Sequence, residues 1–201
     1  MFIIGLTGGM GAGKSTAASF FTELQISVYN ADAQARRLMQ ENQSLRSALV
    51  HHFGKQSYKD NQLNTPFLAK RAFSDTSALK KLNSLVHPVV DSDFKSWVIF
   101  QKGPYCLKEA AILFESGSYT QCHWVISVMA FPELRIQRIM QRSHLSRVEV
   151  LNRLNYQWSD QERYSRSDII IENNDGLEIL CERVKVTHIK ILNLINNSFF
   201  L

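Results

Sequence analysis

Residues Gly8-Gly9-Met10-Gly11-Ala12-Gly13-Lys14-Ser15-Thr16 constrain this chain more than any other stretch, because Gly8, Gly13, Lys14 and Ser15 complete the phosphate-loop pattern G-x-x-x-x-G-K-[ST]. The run before them, Phe2-Ile3-Ile4-Gly5-Leu6-Thr7, is apolar and β-branched enough for a buried strand, and Thr16-Ala17-Ala18-Ser19-Phe20-Phe21 reads as the opening of a helix. A glycine-rich turn can feed a helix by chance, but the complete motif at the exit of the first strand argues against it. Glycines let the backbone wrap closely around a polyphosphate, and the helix N-terminus adds roughly half a positive charge. Gly11, Ala12, Gly13, Lys14, Ser15 and Thr16 are therefore expected to hold the phosphates of a nucleoside triphosphate. Lys14 would reach the β- and γ-phosphates, and the Ser15 hydroxyl would coordinate magnesium.

The remaining composition narrows the class. With 201 residues and 45% hydrophobic content, the chain is long enough for one sizeable core with an insertion. Its 23 basic residues against 18 acidic ones suit a handler of polyanions but lack the dense clusters of a nucleic-acid arm. Cys106, Cys122 and Cys181 are odd in number and show no C-x-x-C spacing, which disfavours a disulfide framework or structural zinc and points to a reducing, cytoplasmic setting. The start Met1-Phe2-Ile3-Ile4 has no basic lead, and no uncharged run reaches the length of a membrane span. The expectation is a protein with neither membrane nor nucleic-acid partner; its oligomeric state is not legible.

Strands are expected at Ile26-Ser27-Val28-Tyr29, Tyr105-Cys106-Leu107-Lys108-Glu109, Trp124-Val125-Ile126-Ser127-Val128 and Asp168-Ile169-Ile170-Ile171-Glu172. Such nearly continuous apolar runs fit an α/β fold, a parallel sheet covered by helices on both faces. Between Ala33 and about Phe100 the pattern is helical: Ala33 to Glu41, Ser44 to Phe53, Thr65 to Phe73, Ser77 to Val86, and a further helix that Pro88 would open. The expected division is a nucleotide-binding core of residues 1–31, 101–131 and 158–201, a helical substrate domain of residues 32–100, and a lid of residues 132–157.

Two charged helical patterns, Pro132 to Arg142 and Arg147 to Gln157, join at His144-Leu145-Ser146. Arg135, Arg138 and Arg142 recur at i, i+3 and i+7 and so share one helix face. Alone this would be a solvated basic face. Beside a phosphate loop it suits a cover that brings cations over a transferring phosphoryl group, a role expected of Arg138 and Arg142. From Gly176 onward, Leu177, Leu180, Val184, Ile191 and Ile195 fall near one face of a helix that completes the core.

The joint pattern resembles one family. The phosphate loop, Ala31-Asp32 with Arg36, Phe53-Gly54, His87-Pro88, Ile112-Leu113-Phe114-Glu115-Ser116-Gly117, Gln137-Arg138 with Arg142, Arg153 with Gln157, and Asp168 with Asn173 are similar in order and spacing to dephospho-coenzyme A kinases. The resemblance implies a P-loop NTPase fold with a parallel sheet, a helical domain for the coenzyme substrate and a helical lid. It also implies transfer of the ATP γ-phosphoryl to the ribose 3′-hydroxyl of dephospho-coenzyme A, completing coenzyme A. The departures are mild: Asn30 stands where many members carry an acid, Ala12 where serine is common, and Glu109-Ala110-Ala111-Ile112-Leu113 replaces a proline-leucine-leucine version.

Asp32 follows the second strand, where an open α/β sheet binds ligands. Its position alone fits a helix N-cap ahead of Ala33 as well as a base for the ribose hydroxyl, and the resemblance favours the base. Arg36, one turn on, is equally a contact to a substrate phosphate or a surface ion pair. His87 is a candidate substrate contact or the stabiliser of a turn, and Glu115 is either a holder of magnesium-bound water or a cap. Two rivals stand beside this reading. One is a kinase for another small acceptor, such as a nucleoside, nucleotide or shikimate-like alcohol. The other is a regulatory or nucleic-acid-dependent NTPase, for which a strand ending in Asp or Asp-Glu is usual, whereas the strands here end in Lys108-Glu109 or Glu172.

Overall fold

The computed structural model describes residues 1–143, 145–154 and 157–198, with only the backbone of residues 73 and 74. Two compact units divide the chain, one of residues 1–30 and 101–201 and one of residues 31–100.

In the first unit, β1 (Phe2–Thr7) leads through the loop into α1 (Lys14–Glu23) and β2 (Ser27–Asn30). After the second unit the chain returns as β5 (Tyr105–Glu109), β6 (Trp124–Met129), α6 (Pro132–Ser143), α7 (Arg147–Leu154), α8 (Asp160–Arg166), β7 (Ile169–Glu172) and α9 (Leu177–Asn197). Among the described residues these strands form one sheet in the order β2-β5-β1-β6-β7, with every adjacent pair parallel. Register aligns the carboxyl ends: Glu109 pairs with Leu6 on one side and Asn30 on the other. An acid is thus fixed beside the start of the phosphate loop. The core packs Ile4, Leu6, Leu107, Ile126 and Val128 of the strands against Ala17 and Phe21 of α1 and Leu180, Val184, Ile191 and Ile195 of α9. Each Ile or Leu so withdrawn from water contributes about 1.5–3 kcal/mol. Leu177, expected on this face, is instead 66% exposed at the first turn of α9.

The second unit holds α2 (Ala31–Glu41), α3 (Gln43–Phe53), the two-residue strands β3 (Tyr58–Lys59) and β4 (Gln62–Leu63), α4 (Thr65–Ser74) and α5 (Thr76–Ile99). Asn42 caps α3 and Asn64 caps α4, each accepting from a backbone N–H three residues on. Pro88 does not open a new helix but lies inside α5. Proline forfeits one backbone hydrogen bond, yet Val86 on one side of it and Val90 and Phe94 on the other are all buried, so packing carries the helix through. Among the described residues, no helix is long and apolar enough to cross a membrane.

Candidate active site

The phosphate loop takes its shape from its neighbours. Gly13 enters α1 in the left-handed region (φ 94°), and a Cβ there would collide with the Asn173 side-chain amide. That amide, on a buried residue just past β7, donates to the Ala12 carbonyl at 2.8 Å. Ala12 itself is buried in the core, and its N–H donates to the Gly9 carbonyl at 3.0 Å. The backbone N–H groups of Lys14, Ser15 and Thr16 precede the first helical hydrogen bond, Ala17 N–H to the Gly13 carbonyl, and no side chain caps the helix. Such a helix start is built to receive an anion.

A cavity of about 360 Å³ opens over this loop. The loop residues with Lys14, Ser15 and Thr16 line it, together with Ala111, Arg138, Arg142 and Gln157. Lys14 Nζ donates to Glu109 Oε1 at 2.7 Å, and Ser15 Oγ donates to the same oxygen at 3.0 Å. Asn30 Nδ2 donates to Glu109 Oε2 at 2.7 Å, which orients the carboxylate. Glu109 is 2% exposed, so its charge acts in a poorly screened setting. In the sequence this strand end departs from the Asp or Asp-Glu usual at an NTPase metal site. The structure hydrogen-bonds this acid to both the lysine and the serine of the motif, and its position at the end of β5 is the signal.

Ser15 Oγ and the Glu109 carboxylate are hard oxygen donors brought to one point. They fit magnesium, which binds through one or two protein oxygens and completes its shell with water and phosphate.

The three arginines of α6 separate. Arg138 and Arg142 reach the cavity, and Arg138 Nη1 also donates to the Asn173 carbonyl at 3.0 Å. Arg135 does not join them: it is buried, donating through Nε to the Met10 carbonyl at 2.9 Å and through Nη1 to Asp160. The shared helix face gave their direction but not the depth at which each ends. Gln157, which bonds Met10 N–H at 2.8 Å, was not expected to touch the loop. The second charged helix is described over Arg147–Leu154, and Gln157 is not helical; residues 155 and 156, and His144 in the preceding junction, lie outside the described residues.

Glu115 lies away from the cavity lining, where its Oε1 accepts from Trp158 N–H at 3.1 Å and Arg163 Nη2 at 3.2 Å. It therefore holds the entry to α8, a helix that the sequence reading passed over although Ser159 and Glu162 form a capping box there. In the second unit, Asp32 is the second residue of α2, inside its first turn rather than capping it from outside, because the helix begins at Ala31. Arg36 is exposed one turn on. His87 is in mid-helix in α5, so no turn exists there for it to stabilise.

The dephospho-CoA kinase family model (CoaE) matches residues 2–178. A dephospho-CoA kinase of Gamma-proteobacterium EBAC31A08 is 35% identical over 195 residues, 96% of this chain and 99% of the relative. Among solved structures, TT1252 from Thermus thermophilus is similar with a TM-score of 0.83 at 33% identity, covering 95% of this chain and 97% of the other. The dephospho-CoA kinase from Campylobacter jejuni is similar with a TM-score of 0.67 at 25% identity, covering 98% of each. A phosphate loop between β1 and α1 of a parallel sheet, matched over nearly the full length by these relatives, means that the chain belongs to the dephospho-CoA kinase family.

Proposed function

We propose that this chain transfers the γ-phosphoryl group of ATP to the ribose 3′-hydroxyl of dephospho-coenzyme A. The observation that carries this reading is the cavity that the phosphate loop with Lys14 and Ser15 lines together with Arg138 and Arg142, in a chain of this family. In that cavity the loop grips the β- and γ-phosphates, and Lys14 neutralises charge around the bridging oxygen. Arg138 and Arg142 hold the equatorial oxygens of the migrating group, and residues 132–157 act as a cover that excludes water. The ribose oxygen attacks the γ-phosphorus, the bond to the β-phosphate oxygen breaks, and ADP leaves. Asp32 takes the hydroxyl proton; what supports this is its place two residues past the end of β2, near the start of a helix. Arg36 and His87 are proposed contacts to the coenzyme substrate. Ser15 and Glu109 would hold magnesium, which when bound offsets the charge of the β- and γ-phosphates.

Incubating the chain with ATP, magnesium and dephospho-coenzyme A and weighing the products tests the reading. One phosphoryl group gained by dephospho-coenzyme A, on the ribose 3′-oxygen, is the expected result. Gain by adenosine or shikimate with none by dephospho-coenzyme A would overturn it.

A further inference from the structure

Met10 forms the outer turn of the phosphate loop, and it is gripped from outside the loop by every group it offers. Its N–H donates to Gln157, its carbonyl accepts from Arg135 Nε at 2.9 Å, and its side chain packs on the cluster of Ile136, Ile139 and Val150. Arg135 is 6% exposed, and its Nη1 stands 2.7 Å from both carboxylate oxygens of Asp160, the first residue of α8. Asp160 also accepts from Arg163 at 3.4 Å, and Arg163 in turn donates to Glu115 at 3.2 Å. An alternating chain of charges thus runs from the loop into α8.

The same guanidinium accounts for a glycine that the phosphate motif leaves open. Gly9 occupies a variable place in G-x-x-x-x-G-K-[ST], and its φ is not positive, so neither the motif nor the backbone demands glycine. A Cβ at Gly9, however, would stand 2.6 Å from Arg135 Cζ. Two residues further along, a Cβ at Gly11 would stand 2.6 Å from the Arg135 carbonyl oxygen. The loop is moulded against this one arginine.

We propose that Arg135, with Asp160 as its counter-charge, is a positioning residue: it sets the shape of the phosphate loop before nucleotide binds and registers the loop against Arg138 and Arg142, three and seven residues further along α6. A loop that binds through several backbone N–H groups loses affinity if those groups must be ordered at the moment of binding. A charge-assisted hydrogen bond to the Met10 carbonyl orders them in advance. Asp160 is required because a buried guanidinium without its carboxylate is costly to keep in place.

The inference rests on the loop being the ATP site, and it is tested by ATP binding in the absence of any acceptor. Failure here is therefore distinguishable from failure of phosphoryl transfer. Calorimetric titration with ATP and magnesium, well below the thermal transition, is expected to give a Kd raised about tenfold in Arg135→Gln, the loss of one charged hydrogen bond. Asp160→Asn keeps the Met10 contact and should raise Kd about threefold. Asp160 has a side chain 32% exposed, so this variant reads the clasp even where Arg135→Gln fails to fold. Gly9→Ala should weaken ATP in the parent but cost nothing further in an Arg135→Ala background, where the clash is gone. A merely structural clasp would lower Tm and leave Kd alone. Kd values within twofold of the parent in folded Asp160→Asn, or an equal cost of Gly9→Ala in both backgrounds, would overturn the proposal.

Discussion

Glu109 Oε1 accepts hydrogen bonds from both Lys14 Nζ, at 2.7 Å, and Ser15 Oγ, at 3.0 Å. One buried carboxylate oxygen thereby holds the lysine and the serine of the motif in register. The relationship follows from sheet topology, since β5 lies beside β1 and Glu109 is aligned with Leu6, two residues ahead of Gly8.

Glu109→Gln is expected to lower turnover and to raise the magnesium concentration needed for half-maximal rate, by about 10- to 100-fold in activity or metal affinity. A neutral amide offers one acceptor in place of a charged pair, so it cannot serve Lys14, Ser15 and Asn30 together. Initial rates against magnesium at saturating ATP check this. An unchanged magnesium profile would remove Glu109 from the metal site.

Much of this was legible because it is local. The loop motif and the apolar runs of β1, β5 and β6 are contiguous in sequence, and the cap Asn64 acts within one turn. What was not legible depends on partners far along the chain. Nothing in the spacing of Arg135, Arg138 and Arg142 says that the first is buried, because Asp160, which holds it, is 25 residues away. Pro88 read as a helix start since sequence records the lost hydrogen bond but not the burial of Val86, Val90 and Phe94 that outweighs it. The β3–β4 hairpin is too short to show a period; only Asp60-Asn61, both with positive φ, marks its turn.

Arg142→Ala is expected to cut turnover by about a hundredfold while leaving ATP affinity near the parent value, because a charge over the migrating phosphoryl group is worth most in the transition state. Single-turnover rates and a separate ATP titration distinguish the two effects. Loss of affinity with unchanged turnover would reduce Arg142 to a nucleotide tether. Arg138 lines the same cavity, so the double variant should lose less than the product of the singles.

Burial lowers the pKa of His188 on α9, whose Nδ1 and the Tyr105 hydroxyl share a hydrogen bond of 2.7 Å. A histidine whose folded pKa lies below its unfolded value contributes stability that is complete at higher pH. That contribution fades as pH falls below about 6.5, the ordinary histidine value, because the unfolded chain takes up the proton more readily. Tm measured from pH 8 to pH 5 should therefore fall more steeply for the parent than for His188→Gln. Parallel curves would show that the ring carries no such linkage.

Asp32→Asn is expected to keep the fold and ATP affinity but lose most phosphoryl transfer. Asp32 stands in the first turn of α2, where a carboxylate also favours the helix N-terminus by about 0.3–1 kcal/mol. Asparagine is nearly isosteric, so a purely helical role predicts a small fall in Tm and ordinary activity. A general base is worth about a hundredfold to ten-thousandfold, far outside that range. Asparagine cannot take the proton from the ribose oxygen. Turnover within a few-fold of the parent at saturating substrates, with chemistry shown to be the slow step, would exclude Asp32 as the base and leave it as a charge that steadies α2.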